Sequence, residues 1–179
     1  MKPRGLLMIE HRLIEKMIEV IRKEISKIKE TNKVDIIFID TAVDFIRIYA
    51  DKTHHGKEED ILFCYCAEKN MSEKDKKAMN ELIAEHKYGR KIVGELVDAR
   101  DKYIRGSNTI NIILEKLGKL AEFYPEHIKK EDKIFFPGSE KYFSRDELGK
   151  LLGEFREFDQ AMIHEKYKLV VEQLKSRNC

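Results

Sequence analysis

Glycine and proline are scarce in this sequence, with nine and three among 179 residues. So little of either excludes a loop-rich or disordered chain. An excess of one charge is also lacking, because 35 basic residues face 33 acidic ones. That balance argues against nucleic acid as a partner, since nucleic acid requires a concentrated basic face. Three cysteines, two of them Cys64 and Cys66, do not make a disulfide framework, which favours a reducing compartment.

Long apolar runs are missing as well. No stretch reaches the roughly 20 apolar residues that cross a bilayer, and the N-terminal segment MKPRGLLMIEHRLIE is too polar for a signal peptide. We therefore expect a cytoplasmic protein without a membrane partner. The 42 % of hydrophobic residues are enough to bury a core, and the length suits a single domain over residues 1–179.

Apolar residues recur with helical periodicity along the whole chain. The pattern predicts helices at roughly 5–30, 35–68, 73–105, 108–136 and 144–175. Ser72 and Ser144 are expected to cap the third and fifth helices, and Pro137-Gly138-Ser139 is expected to end the fourth. The predicted fold class is all-α: an antiparallel up-and-down four-helix bundle, with an additional C-terminal helix packed outside it or across an end.

Each of the first four helices carries one histidine on its apolar stripe: His11, His54, His86 and His127. Burying four imidazoles in a bundle core costs free energy unless each has a polar partner. Metal coordination would satisfy all four together, which makes them candidate metal ligands.

Carboxylates lie in phase with two of these histidines. Glu58 follows His54 by four residues, and Glu131 follows His127 by four, so each pair shares one helix face. The segments 54–63 and 127–136 also align without gaps, as HHGKEEDILF on HIKKEDKIFF. The similarity of these two segments predicts two equivalent halves of one metal site, on the second and fourth helices.

Two alternatives stay open at this point. His55 and Glu59 have the same four-residue spacing as His54 and Glu58, but the stripe upstream of them is less apolar. We therefore predict His54 and Glu58 as ligands, while His55 either lies at the surface, supports a ligand or is an additional ligand. His164, in the last helix, is either a partly exposed histidine or a further ligand.

These segments resemble the hemerythrin-like, or HHE cation-binding, domain. The resemblance rests on His11, HHGKEEDILF from His54, EHKYGR around His86, and HIKKEDKIFFP from His127. It covers residues from about 5 to 137, and 144–175 is similar to a common C-terminal extension. It implies a non-haem di-iron site bridged by two carboxylates and an oxygen species, with His11, His54, Glu58, His86, His127 and Glu131 as ligands.

One departure from the oxygen-carrying hemerythrins bears on chemistry. Their third helix presents two histidines four residues apart, whereas Leu82 and Arg90 stand four residues from His86 here. One metal would lack a nitrogen ligand, and water, His55 or His164 would fill the position. An exchangeable position favours reactivity or sensing over reversible O2 storage.

Imidazole and carboxylate donors suit iron, and also zinc or manganese. Three functions follow from the resemblance and this donor set. The first is a di-iron protein that binds or senses O2 or a related small ligand. The second is an enzyme that disposes of peroxide or NO, and the third is an iron-handling or structural metal-binding protein. A sensing role would require a separate redox or signalling partner.

Overall fold

The computed structural model describes residues 2–176, which form five helices and no strand. Helix α1 is Pro3–Thr31, α3 is Glu73–Ile104 and α5 is Arg145–Ser176. Helix α2 spans 36–67 through the consecutive segments Ile36–Asp44, Phe45–His55, Glu58–Leu62 and Phe63–Ala67. Helix α4 spans 110–140 through Ile110–Lys130, Glu131–Phe135 and Phe136–Glu140. The predicted all-α class and its five helices are confirmed.

Side-chain caps fix where two of the helices begin. Ser72 accepts a hydrogen bond from the backbone N–H of Asp75 at the start of α3. At the start of α5 the Ser144 N–H donates to Glu147 at 2.8 Å, and the Glu147 N–H donates back to the Ser144 hydroxyl at 3.3 Å. Both caps satisfy N–H groups that have no partner inside the helix.

The fourth helix does not end at Pro137-Gly138-Ser139, as the sequence suggested, but continues to Glu140. Pro137 is the second residue of the segment Phe136–Glu140. Pro137 has no backbone N–H to donate, so one hydrogen bond is lost where the π-helical segment Glu131–Phe135 passes into Phe136–Glu140, but the chain stays helical there. The turn residues therefore fall within the helix, and the chain leaves it only after Glu140.

Two apolar clusters form the interior, and a polar layer separates them. One contains Ile14, Ile18 and Ile21 of α1 together with residues of α2, α3 and α4. The other contains Leu7 of α1 and also includes Phe155 of α5. Because His11 lies between Leu7 and Ile14 on the same buried face, the bundle places its histidines between two hydrophobic cores.

Short links and pairwise packing define the arrangement of the helices. Links of four or five residues join them in chain order, which makes consecutive helices antiparallel neighbours. Helix α4 packs against both α1 and α3, and α5 packs against α1 and α2. The N-terminal four helices thus form the predicted bundle with α5 on its outside. Within residues 2–176, no helix combines the length and apolar character needed to cross a membrane.

The helix segments nearest the polar layer are wound as π-helices, at Phe45–His55, Glu58–Leu62 and Glu131–Phe135. A π-helix has a wider turn than an α-helix and occurs most often at functional sites. The wider turn shifts which side chains face inward. Ile134 stands seven residues after His127 and would share its inner face on a regular α-helix, but it is 53 % exposed, while Phe135 is buried instead.

Candidate metal centre

Five histidines and two glutamates converge in the polar layer. All seven are at most 2 % exposed. Helix α1 contributes one of them, α2 three, α3 one and α4 two. They are His11, His54, His55, Glu58, His86, His127 and Glu131.

Their ligand atoms fall into two groups that could each hold a metal ion. The first cluster is His11, His54, Glu58 and Glu131, and the second cluster is His55, His86 and His127. In each cluster the nitrogen or oxygen atoms lie within 4.8 Å of one another. Side chains from four helices therefore present a mixed imidazole and carboxylate donor set at two adjacent points.

The two carboxylates lie between the clusters. Glu58 places Oε1 3.6 Å from His54 Nε2 and Oε2 3.4 Å from His86 Nε2. Glu131 places Oε2 3.1 Å from His11 Nε2 and Oε1 3.3 Å from His127 Nε2. Each carboxylate thus turns one oxygen toward each cluster, which is the orientation that a bridging ligand requires.

A second layer of carboxylates orients all five imidazoles. Each Nδ1 lies within 3.3 Å of an acidic side chain. The pairs are His11 with Asp132, His54 with Glu10, His55 with Asp51, His86 with Glu59, and His127 with Glu85. A carboxylate on Nδ1 fixes the ring orientation and raises the basicity of Nε2. Every ring therefore keeps Nε2 as its free ligand atom.

Cationic side chains hold these acidic partners in turn. Arg90 donates to Asp51 at 2.8 Å and to Glu59 at 2.7 Å, so one guanidinium supports two imidazoles of the second cluster. The other three cations each bind one of the remaining carboxylates: Arg12 binds Asp132, Lys57 binds Glu10, and Lys130 binds Glu85. The outer charges are therefore paired, while the innermost atoms are not.

Unpaired polar atoms concentrate at the two clusters. Among the described residues, ten buried side-chain nitrogen or oxygen atoms have no hydrogen-bond partner, and seven of them belong to this site. They are Nε2 of His11, His86 and His127 and both carboxylate oxygens of Glu58 and Glu131. A buried polar atom without a partner costs about 1–3 kcal/mol. Metal ions at the two clusters would satisfy these atoms together, so the residues fit such a group.

The pKa values of the two glutamates are shifted in opposite directions, because the surrounding histidines outweigh burial at Glu131 but not at Glu58. Burial, followed by the charge of Glu131, raises the pKa of Glu58 well above its ordinary value. Burial also disfavours the charged form of Glu131, but the histidines around it, His127 and His11 foremost, outweigh that effect and hold its pKa well below the ordinary value. Without metal, Glu58 therefore takes up a proton more readily than Glu131 does, and a cation bound there would displace such a proton.

The pKa values of the two imidazoles in the first cluster, His11 and His54, are also shifted in opposite directions. Burial alone would lower the pKa of His11, yet the hydrogen bond to Asp132 and the nearby carboxylate of Glu131 outweigh it and raise that pKa to about 9. Burial dominates at His54 and lowers its pKa to about 4 despite the hydrogen bond to Glu10. Of these two imidazoles, only His54 is therefore in the neutral, metal-binding form at neutral pH without metal.

A cavity of about 240 Å³ opens beside the second cluster. His55 and His86 form part of its wall, together with Arg90 and the buried Tyr124. Ile46 and Val93 add apolar side chains to its lining. A small molecule in this cavity would contact two candidate ligands.

The structure brings together all six residues expected as principal ligands, and it adds His55 to them. His54 and His55 are both buried and fall in different clusters, because the π-helical turn carries adjacent side chains inward. Glu59 lies outside both clusters and contacts His86 Nδ1 instead. His164 is exposed on α5 and belongs to neither cluster.

Among the outer carboxylates, the sequence indicated only Glu59, and as the partner of His55 in the alternative ligand pair, although a signal for four of them exists. Glu10, Glu59, Glu85 and Asp132 each stand next to a residue of one of the clusters in the chain. Each of the four contacts an imidazole on a neighbouring helix, as Glu10 of α1 does with His54 of α2. Each of the four bundle helices thus carries an acidic residue directly beside a buried histidine or glutamate of the centre, although His54 and His55 have none beside them.

Comparison with known families agrees with this geometry. The model of the hemerythrin HHE cation binding domain matches residues 3–138. The matched stretch contains both clusters and ends before α5. No curated protein and no solved structure gives a significant match to the chain.

Proposed function

Because the chain belongs to the hemerythrin HHE cation-binding domain family, we propose that it binds two iron ions between its helices and there binds or senses O2 or a related small ligand. The observation that carries the proposal is a buried group of five imidazoles and two unpaired carboxylates, in which four of the imidazoles place Nε2 within 3.6 Å of a carboxylate oxygen. Each imidazole has its Nδ1 already occupied, so its remaining nitrogen is available only to a metal or a proton.

The chain would hold the two ions asymmetrically. His11 and His54 would bind one ion, and His55, His86 and His127 would bind the other, while Glu58 and Glu131 would join both. His55 would supply the nitrogen that the third helix lacks. The first ion would then have fewer protein ligands than the second, which leaves room there for an exchangeable ligand.

Iron is the metal that this donor set favours for redox function. Imidazole and carboxylate ligands suit iron, manganese and zinc alike, and no thiolate is among them. Iron supplies a redox couple and a position at which O2, peroxide or NO can bind. The residues around it supply a dry site, because both glutamates are fully buried and His11 stacks against Phe136 with ring centroids 5.7 Å apart.

Small-ligand access is supported by the cavity at the second cluster. Its volume of about 240 Å³ admits a diatomic molecule or peroxide with room to spare. Tyr124 and Val93 line it, and so do Arg90 and the outer carboxylate Asp51, to which Arg90 donates a hydrogen bond. We propose that a small ligand enters by this cavity on the side of the second cluster and passes from there to the open position at the first.

Anaerobic loading with ferrous iron tests the metal part of the proposal. We expect two equivalents of iron per chain by elemental analysis, and a coloured ferric form after oxidation. A His55→Ala variant should lose about one equivalent or bind it at least 10-fold more weakly. His164→Ala is the matched histidine control and should bind as wild type. Failure of the wild-type chain to retain any metal would refute the proposal.

Rapid mixing of the loaded protein then separates the candidate reactions. Reversible spectral change with O2 supports binding or sensing, and repeated consumption of peroxide or NO supports an enzyme. If metal only raises the melting temperature and no small ligand alters the spectrum, metal handling or a structural role replaces O2 binding. A redox or signalling partner would be sought only in the first two cases.

A further inference from the structure

A fully buried lysine connects the metal centre to the C-terminal helix. Lys57 of α2 is 0 % exposed, and its ammonium group contacts Glu10 of α1 and Asp159 of α5. Glu10 is the carboxylate that binds His54 Nδ1 at 2.8 Å. A buried ammonium ion is tolerated only with paired charges, so both carboxylates are needed to keep Lys57 in place.

We call the series of contacts from His54 through Glu10 to Lys57 a relay, and Asp159 extends it into α5. A matching relay at His127 has no such extension. Lys130 follows His127 by three residues, as Lys57 follows His54. Lys130 binds Glu85, which binds His127 Nδ1 at 2.8 Å. Its side chain is 31 % exposed and its ion pair ends there. Of these two lysine contacts, the one at His54 alone continues into α5 within the described part of the chain.

Helix α5 packs closely against α2 beside this relay. Phe158 packs so closely on Gly56 that a Cβ at position 56 would lie 2.7 Å from its ring. Phe158 precedes Asp159, and Gly56 precedes Lys57, so the two contacts form one patch. Flanking ion pairs, including Lys52 with Glu165 at 3.2 Å, extend the contact toward solvent.

We infer that Asp159 is a positioning residue for the His54 half of the metal centre, and that metal binding and the docking of α5 are coupled through Lys57 and Glu10. This inference rests on the proposed function. It assigns a role in the centre to a helix outside the segment that matches the family, which ends at residue 138. Asp159 holds the ammonium that holds Glu10, and Glu10 fixes the ring of His54.

Coupling between two sites is reciprocal, so the inference makes two linked expectations. Loss of the Asp159 charge should weaken metal at the first cluster. Metal at the first cluster should in turn stabilise α5 on the bundle. Removing a direct outer partner of a ligand lowers metal affinity about 10–100-fold, and one further step away we expect about 3- to 10-fold.

The test compares Asp159→Asn with Glu165→Gln in the full chain. Both variants remove one acidic group of α5 that forms an ion pair with a lysine of α2, but Glu165 lies outside the relay. Ferrous iron is loaded anaerobically, and its release to a chelator is timed for each of the two equivalents. Hydrogen exchange across residues 150–168 is measured with and without iron, which gives a readout independent of any reaction.

We expect Asp159→Asn to release one of the two equivalents about 3- to 10-fold faster and to leave the other unchanged. In wild type and Glu165→Gln, iron should slow exchange in α5 about fivefold, the low end of usual site-to-site coupling. That difference should vanish in Asp159→Asn and return in Asp159→Glu, whose longer side chain keeps the charge. Asp159→Ala provides a second variant if the asparagine chain folds poorly.

Several results would overturn the inference. Equal iron release and equal iron-dependent exchange in wild type and Asp159→Asn would do so while leaving the metal centre intact. An identical effect in Glu165→Gln would reduce Asp159 to one of several surface contacts. Absence of iron binding in the wild-type chain would remove the proposed function and this inference together.

Discussion

Replacement of Glu58 by methionine should make the protein more stable without metal and less stable with it. In the protein without metal, both carboxyl oxygens of Glu58 are buried without a partner, and its neighbour Glu131 repels its charged form. Methionine has a similar size and no polar oxygen, so it should fill the space with little strain. The same change removes an oxygen from each cluster.

The magnitudes follow from the unpaired atoms and from mass action. Relieving a buried, unsatisfied group is worth about 2 kcal/mol, which at this chain length raises the melting temperature by about 4–8 °C. A ligand present at a thousandfold over its dissociation constant stabilises by about 4 kcal/mol, or about 8–16 °C. Wild type should gain this increment with iron, and Glu58→Met should gain little of it.

Thermal unfolding of wild type and Glu58→Met, with and without ferrous iron under anaerobic conditions, measures whether the order of their melting temperatures reverses when iron binds. Glu24→Met is the matched control, because Glu24 is a buried glutamate with one unpaired oxygen outside both clusters. It should leave the gain from iron unchanged. The reasoning is wrong if Glu58→Met melts below wild type without metal, or if iron stabilises both proteins equally.

Three further changes test the surroundings of the centre. The pKa of His54 is about 4 in the folded protein and about 6.5 in the unfolded chain, so only the unfolded chain takes up this proton as pH falls from 6.5 to 4. Without metal, the wild-type protein should therefore lose stability on the order of 3 kcal/mol over this range because of His54. His54→Gln should not show this loss. Denaturant titrations across that range measure it. Arg90 contacts the carboxylates Asp51 and Glu59 and not the imidazoles themselves, so Arg90→Leu should weaken iron at the second cluster about 3- to 10-fold in chelator competition. Arg47→Leu, which changes an exposed arginine of the same cavity, should leave iron affinity unchanged. Gly56→Ala should cost about 1–3 kcal/mol in thermal unfolding, with partial rescue by Phe158→Leu.

Each of these expectations has a clear contrary result. An unchanged pH slope in His54→Gln would mean that another group sets the acid stability. Equal iron affinity in Arg90→Leu and Arg47→Leu would show that the Arg90 guanidinium does not support metal binding by His55 and His86. Lack of rescue by Phe158→Leu would show that the cost at Gly56 arises elsewhere than in the packing of α5.

Much of the fold was readable because its signals are local. Apolar residues at helical spacing predicted all five helices, and the cap at Ser144 follows from one serine and one glutamate three residues apart. The histidine of each helix could be placed on its inner face by the same period. His11, for example, stands one turn after Leu7 and three residues before Ile14, and all three are buried.

The remainder depends on geometry that a 3.6-residue period does not describe. His54 and His55 looked like alternatives because adjacent residues on an α-helix point to different sides, and the π-helical segment Phe45–His55 removes that choice. The same deviation exposes Ile134 on α4. The contact of Asp159 with Lys57 joins residues 102 positions apart, and no local pattern indicates which lysine an acidic residue on α5 will meet.

The central claim is that two cations lie between these helices. Anomalous scattering at the iron edge from crystals of the iron-loaded protein tests it most directly. We predict two peaks per chain, one among His11, His54 and the two glutamates and one among His55, His86 and His127. A single peak, or peaks at surface carboxylates with none inside the bundle, would contradict it.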